Sequence, residues 1–130
     1  MIQAEGLATA YRTKVQNAAH ELTADAPVLK GGGGAGFSAH ELLEASLAVC
    51  INMAIRMYAD NHEIQVDSIS TKVTLTRPDS QTTRFEYSVQ MTGNMSADQR
   101  AQLEAIPENC PVRQTLSKQL TFVRTTLSAG

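Results

Sequence analysis

Apolar positions repeat with a helical period over one long stretch of the chain and with a two-residue period over several shorter ones. The long stretch covers residues 38–60, SAHELLEASLAVCINMAIRMYAD. Leu43, Leu47, Cys50, Ile51, Ala54 and Tyr58 form one apolar row, and Leu42, Val49 and Met53 widen it. The polar residues Glu44, Asn52 and Arg56 fall on one narrow strip. Ser38 followed by Glu41 fits a capping box at the start. The spacing predicts a single helix, buried over most of its circumference. Cys50 sits near the middle of its apolar side, about 180° from the polar strip at ~100° per residue.

The shorter patterns flank this helix. Residues 6–15 predict a strand and residues 20–23 its short hairpin partner, with Gln16-Asn17 in the turn. Asp25-Ala26-Pro27 breaks the pattern. KGGGGAG, from Lys30 to Gly36, predicts a flexible connection into the helix. It lacks the lysine and hydroxyl of a phosphate-binding loop and the G-x-G-x-x-G of a dinucleotide site. Beyond the helix, Ile69, Thr71, Val73 and Leu75 alternate with polar residues. Ile64 and Val66 are in the opposite phase, which places a bend near Asp67-Ser68. Residues 77–80 predict a turn. Phe85, Tyr87, Val89 and Met91 predict a one-side-buried antiparallel strand. Ser96 with Gln99 is a second capping box, opening a short helix that Pro107 ends near Ile106. Pro111 suits the first position of another short helix and puts Cys110 at its N-cap. Residues 120–127, rich in Thr, Val and Phe, predict a last strand.

This order is α+β, since no strand–helix–strand alternation is sustained. The central helix is apolar over more than the one side that a small sheet covers. A second copy of the chain is the simplest cover for the rest, so an extensive homodimer is expected.

At 130 residues one domain is expected. Lys and Arg number 11 against 13 Asp and Glu, a net charge of −2, which gives no reason to expect nucleic acid as a partner. No membrane partner is expected either, because Glu44 and Arg56 interrupt the only long apolar run. The N-terminus has neither a basic nor an apolar leader pattern, and a cytoplasmic protein is expected. Two cysteines are too few for a secreted disulfide scaffold. His20, His40 and His62 lack metal-ligand spacing, so no metal site is expected. His62 reads as a cap near the helix end, and Met53, Met57 and Tyr58 as core residues with a secondary role lining an apolar entry.

That leaves the thiols. A thiolate at a helix N-terminus is stabilised by unpaired N–H groups and the helix dipole, which favours Cys110. Cys50, in mid-helix, gains nothing from its own dipole. To react, it needs a cation or donor brought by the fold.

The two cysteines sit in segments that resemble the OsmC/Ohr family of osmotically inducible and organic hydroperoxide resistance proteins, most closely its general OsmC-like branch. The resemblance rests on Asp25-Ala26-Pro27 leading to Gly31-Gly32, the E-L-L opening of the helix, mid-helix Cys50, and C-P-V from Cys110 to Val112. It implies an intertwined α+β homodimer with the central helices back to back. It further implies a thiol-dependent peroxidase acting on hydroperoxides, with no cofactor beyond an external dithiol reductant. Cys50 matches the peroxidatic cysteine and Cys110 the resolving one. Arg12 and Glu41 match the activating arginine and glutamate. Arg113 stands where His is common, and His40 where the hydroperoxide-resistance branch has its glutamate. Glu41 lies about 13 Å from Cys50 along one helix at ~1.5 Å per residue, so any service to Cys50 is expected to be to that of a second copy. Two other readings stay open: a redox-sensing or small-ligand-binding protein with negligible turnover, and a structural dimer with inert thiols.

Overall fold

The computed structural model describes residues 1–125. Its elements are β1 (Gln3–Gly6), β2 (Thr13–Gln16), β3 (Glu21–Ala24), a 3₁₀ turn at Val28–Lys30, α1 (Ala39–Asn61), β4 (Ser68–Asp79), β5 (Thr82–Thr92), α2 (Ala97–Glu104), a 3₁₀ turn at Ile106–Asn109 and α3 (Pro111–Ser117). The class is α+β, a long helix with antiparallel sheets. β1, β2 and β3 form one sheet, and β4 with β5 another. The chain divides into two compact units, Met1–Val49 with Thr71–Val89, and Cys50–Ser70 with the residues from Gln90 onward.

In the first unit, the strand expected over residues 6–15 is two strands. β1 ends at Gly6, and the chain turns before β2 begins at Thr13. The Leu7 N–H donates to the Arg12 carbonyl at 2.8 Å, and Tyr11 takes φ 68°. A side chain in that left-handed region cannot continue a strand. The expected turn after Gln16 is present: Asn17 Oδ1 accepts from the N–H groups of Ala19 and His20 at 2.8 and 2.7 Å. β2 pairs antiparallel with both neighbours, and Val15 faces Ala4 on one side and Leu22 on the other.

The glycine-rich segment is not a loose connection. Asp25, buried, gathers it: Oδ2 accepts from the N–H groups of Gly33 and Ala35 at 3.2 and 3.1 Å, and Oδ1 from Ala26 at 2.8 Å. The glycines are there for close approach. A Cβ on Gly32 would lie 2.0 Å from the Ala26 carbonyl oxygen, and one on Gly36 2.0 Å from that of Thr23.

α1 starts as the sequence predicts. The Glu41 N–H donates to Ser38 Oγ at 3.2 Å, and the Ser38 N–H donates to the Glu41 carboxylate at 2.9 Å. Leu47, Ile51, Ile55 and Ala59 are its buried row. Each such side chain removed from water contributes about 1–3 kcal/mol. The polar strip grips the backbone of β4 and its approach. Glu44 Oε2 accepts from the Leu75 N–H at 2.7 Å in the first unit. In the second, Asn52 Nδ2 donates to the Ile69 carbonyl at 3.3 Å and Arg56 Nη1 to that of Val66 at 2.9 Å. Met53 and Met57, expected in the core, are 56% and 62% exposed, and with Leu43 and Val49 they form an apolar face that the described residues leave uncovered. An 18-residue window of α1 has a mean hydropathy of 1.4, long and apolar enough to cross a membrane by length and composition, a test that the core helix of a soluble protein also passes.

The bend expected near Asp67 is present, with the Asp67 N–H on the Thr92 carbonyl at 2.7 Å. The turn expected at residues 77–80 lies later. β4 runs through Pro78 to Asp79, and Asp79 Oδ1 accepts from the Gln81 N–H at 2.8 Å to close a two-residue turn. In a two-stranded sheet both strands are edges, so a proline can sit with its nitrogen facing away from the ladder. In the second unit, Ile51, Ile55, Leu103, Pro107 and Cys110 are the largest fully buried side chains. α2 has both halves of its capping box, at 2.9 and 3.1 Å. The strand expected over 120–127 is not formed among residues 120–125, where Leu120, Phe122 and Val123 are exposed. Residues 126–127 lie outside the described residues.

Candidate active site

The two thiols meet in the second unit. Cys110 is the N-cap of α3, in extended backbone with Pro111 next, as the sequence predicts. The residue is 1% exposed, with Cys50 as a close neighbour. Both cysteines are free. Cys50 is half-buried, and its Sγ accepts the N–H of Val112 at 3.4 Å. The start of α3 therefore packs against the middle of α1.

This contact changes the expected ranking of the thiols. The N-cap position was expected to make Cys110 the better thiolate. Burial instead pushes its thiol above the ordinary value, and the neighbouring Cys50 pushes it further. The Arg113 N–H and the Arg113 charge pull the other way but less, without the geometry of a full cap bond. Meanwhile a free backbone donor of α3 is aimed at Cys50. The missing donor that Cys50 required is the Val112 N–H. Its signal was present in the sequence: proline at the first helical position has no N–H, so the second residue offers the first free donor.

Beside Cys110 lies a cleft of about 400 Å³, lined also by Ala54, Tyr58, Gln102, Ile106 and Pro111 among others. Its wall is mainly apolar. Tyr58 is fixed there by stacking on His62, with ring centroids 3.8 Å apart. His62 in turn bonds the Tyr58 carbonyl at 2.9 Å, the helix-end cap expected of it.

Arg12 and Glu41, the other expected site residues, belong to the first unit and have local partners there. Arg12 Nε lies 3.6 Å from Asp25 Oδ2, with the Arg12 side chain 35% exposed and its buried Nε without a hydrogen bond. Glu41 closes the α1 capping box. The Ser38 N–H, then the Ser38 hydroxyl, hold its carboxyl below the ordinary carboxylate value. Asp25 was missed as more than a pattern break. The Ala35 N–H, with those of Ala26 and Gly33 and the Arg12 charge, holds it below 3.8 although burial opposes this. No local pattern marks it, because its partners follow it by up to ten residues.

A sequence model of the OsmC-like protein family matches residues 31–124, most of the chain and both cysteines. The chain belongs to the OsmC-like family. Solved structures share its fold. A Psychrobacter arcticus protein ascribed to osmotic-stress induction and detoxification superposes with a TM-score of 0.74 at 23% identity, covering 88% of this chain and 85% of that one. An OsmC-like protein from Mycoplasma pneumoniae gives 0.74 at 18% identity, with 89% and 85% covered. An organic hydroperoxide resistance protein from Legionella pneumophila gives 0.64 at 22% identity, with 90% and 88% covered. No curated protein sequence matches the chain. At these identities the OsmC-like neighbours bear on fold rather than on activity.

Proposed function

We propose that this OsmC-like protein is a thiol-dependent peroxidase that reduces organic hydroperoxides in oxidative-stress defence. The observation that carries the proposal is the Val112 N–H on Cys50 Sγ at 3.4 Å, which brings the helix start that holds Cys110 against Cys50. The Cys50 thiolate attacks the terminal peroxide oxygen. The O–O bond breaks, the alcohol leaves with a proton, and Cys50 becomes a sulfenic acid. The Cys110 thiol then attacks that sulfur, water leaves, and a disulfide forms. An external dithiol returns both thiols by exchange, with no cofactor. The Val112 N–H donates to the attacking sulfur and holds it at the start of α3. The apolar cleft beside Cys110 suits an alkyl or aryl group over bare hydrogen peroxide. Arg12 and Glu41 act on the Cys50 of a second copy in a cytoplasmic homodimer, which the uncovered face of α1 favours.

The test is consumption of cumene hydroperoxide against hydrogen peroxide with a dithiol reductant. Wild type turns over and prefers the organic peroxide, whereas Cys50→Ser does neither. With the dithiol left out, Cys110→Ser gives one equivalent of reduction and leaves a trappable sulfenic acid on Cys50. Equal loss of peroxide with wild type and Cys50→Ser would overturn the proposal. The second reading, a sensor with negligible turnover, is favoured by the raised pKa of Cys110, which slows the resolving step. Stoichiometric disulfide formation without sustained turnover would select it.

A further inference from the structure

The first unit holds a second cleft, of about 420 Å³, next to Arg12 and Glu41, whose partners Asp25 and Ser38 line it. Lys30, His40, Arg77 and Tyr11 line it, with Ser38 and Asp25 at its wall. We propose that this cleft binds an oxyanion, either a phosphate group or the carboxylate of a small organic acid.

The cationic groups are gathered without counter-ions. Arg77 Nη1 lies 3.4 Å from His40 Nε2. Among the described residues, neither these two nor Lys30 makes an ion pair with a carboxylate. The nearby acids are already committed. Asp25 gives both oxygens to backbone N–H groups and faces Arg12. Glu41 is bound to the Ser38 N–H. The cleft therefore presents a net positive wall around a space large enough for a small acid.

The Arg77–His40 contact sets the recognition. It holds the Arg77 guanidinium at the cleft with no carboxylate on it. An oxyanion there takes charge-assisted hydrogen bonds from the guanidinium. Tyr11 adds a hydroxyl donor and Lys30 a mobile charge. Ala39 and His40, the first residues of α1, line the same wall.

The test uses the full chain at low ionic strength, titrated with inorganic phosphate in one arm and butyrate in the other, read by calorimetry and by the imidazole signals of His40. Saturable binding is expected in at least one arm, and the tighter arm identifies the ligand class. Arg77→Gln should weaken it about ten-fold, the scale of one charge-assisted contact. Lys30→Gln should weaken it as well. If the variants melt early, the wild-type His40 signals still decide, because bound anion must move them saturably. No saturable response in either arm, or equal affinity in wild type and Arg77→Gln, would overturn the proposal. Cys50→Ser should bind as wild type does, so failure of the peroxidase reading leaves this one standing.

Discussion

Burial by itself pushes both the Cys110 thiol and the Asp25 carboxyl towards their neutral forms. Asp25 escapes because backbone N–H groups from Ala26, Gly33 and Ala35 converge on it. Cys110 has only the weaker pull of Arg113, and burial wins. At neutral pH iodoacetamide should therefore label Cys50 well before Cys110. Cys110 labelling should accelerate as pH rises past the ordinary thiol range. Mass spectrometry of timed samples decides, and Cys110 labelled first would contradict the assignment. For Asp25 the sign runs the other way. Its folded pKa lies below the unfolded value of 3.8. It therefore contributes stability above that pH, and the contribution is lost as pH falls through the folded value. Thermal melts of wild type should drop in that acid window. Asp25→Asn should melt lower near neutrality and show a smaller drop.

Among the elements, α1 does two jobs with two faces, and the Glu44–Asn52–Arg56 strip is the less obvious one. Glu44→Ala would strand the Leu75 N–H, which Glu44 now accepts at 2.7 Å. The expected cost is about 1–3 kcal/mol by urea unfolding, the price of an unmet buried donor. An unchanged midpoint would show that water replaces the carboxylate. The strip itself was legible, but its partner was not, since periodicity gives a face and not what meets it. The capped starts of α1 at Ser38 and α2 at Ser96 were legible to within a residue, whereas α2 ends at Glu104, short of the expected Ile106, and Pro107 sits in a 3₁₀ turn. β1 and β2 merged into one strand because Tyr11 breaks the chain through its φ, which leaves no trace in hydropathy. The Gly31–Gly36 segment was misread for a related reason. Glycines needed for close approach and glycines that confer freedom look alike in sequence. The pairing of Cys50 with Cys110 came from family resemblance, since sequence separation carries no such information. The Val112 donor could have been found from Pro111 alone.

For the whole molecule, the uncovered apolar face of α1 is the feature with the widest reach. Leu47 is 3% exposed within a single chain, so Leu47→Asp tests folding. Met53, 56% exposed, is the residue that separates assembly from folding. Met53→Asp should leave the secondary structure intact by circular dichroism while the species sedimenting as a dimer disappears. A wild-type chain that sediments as a folded monomer at micromolar concentration would remove the homodimer from the proposal. If the face is covered only by a second copy, dilution acts as a denaturant. The melting temperature should climb with the logarithm of protein concentration, by mass action. A cell that makes little of this protein would then hold it less stably than one that makes much, and its abundance would set its lifetime.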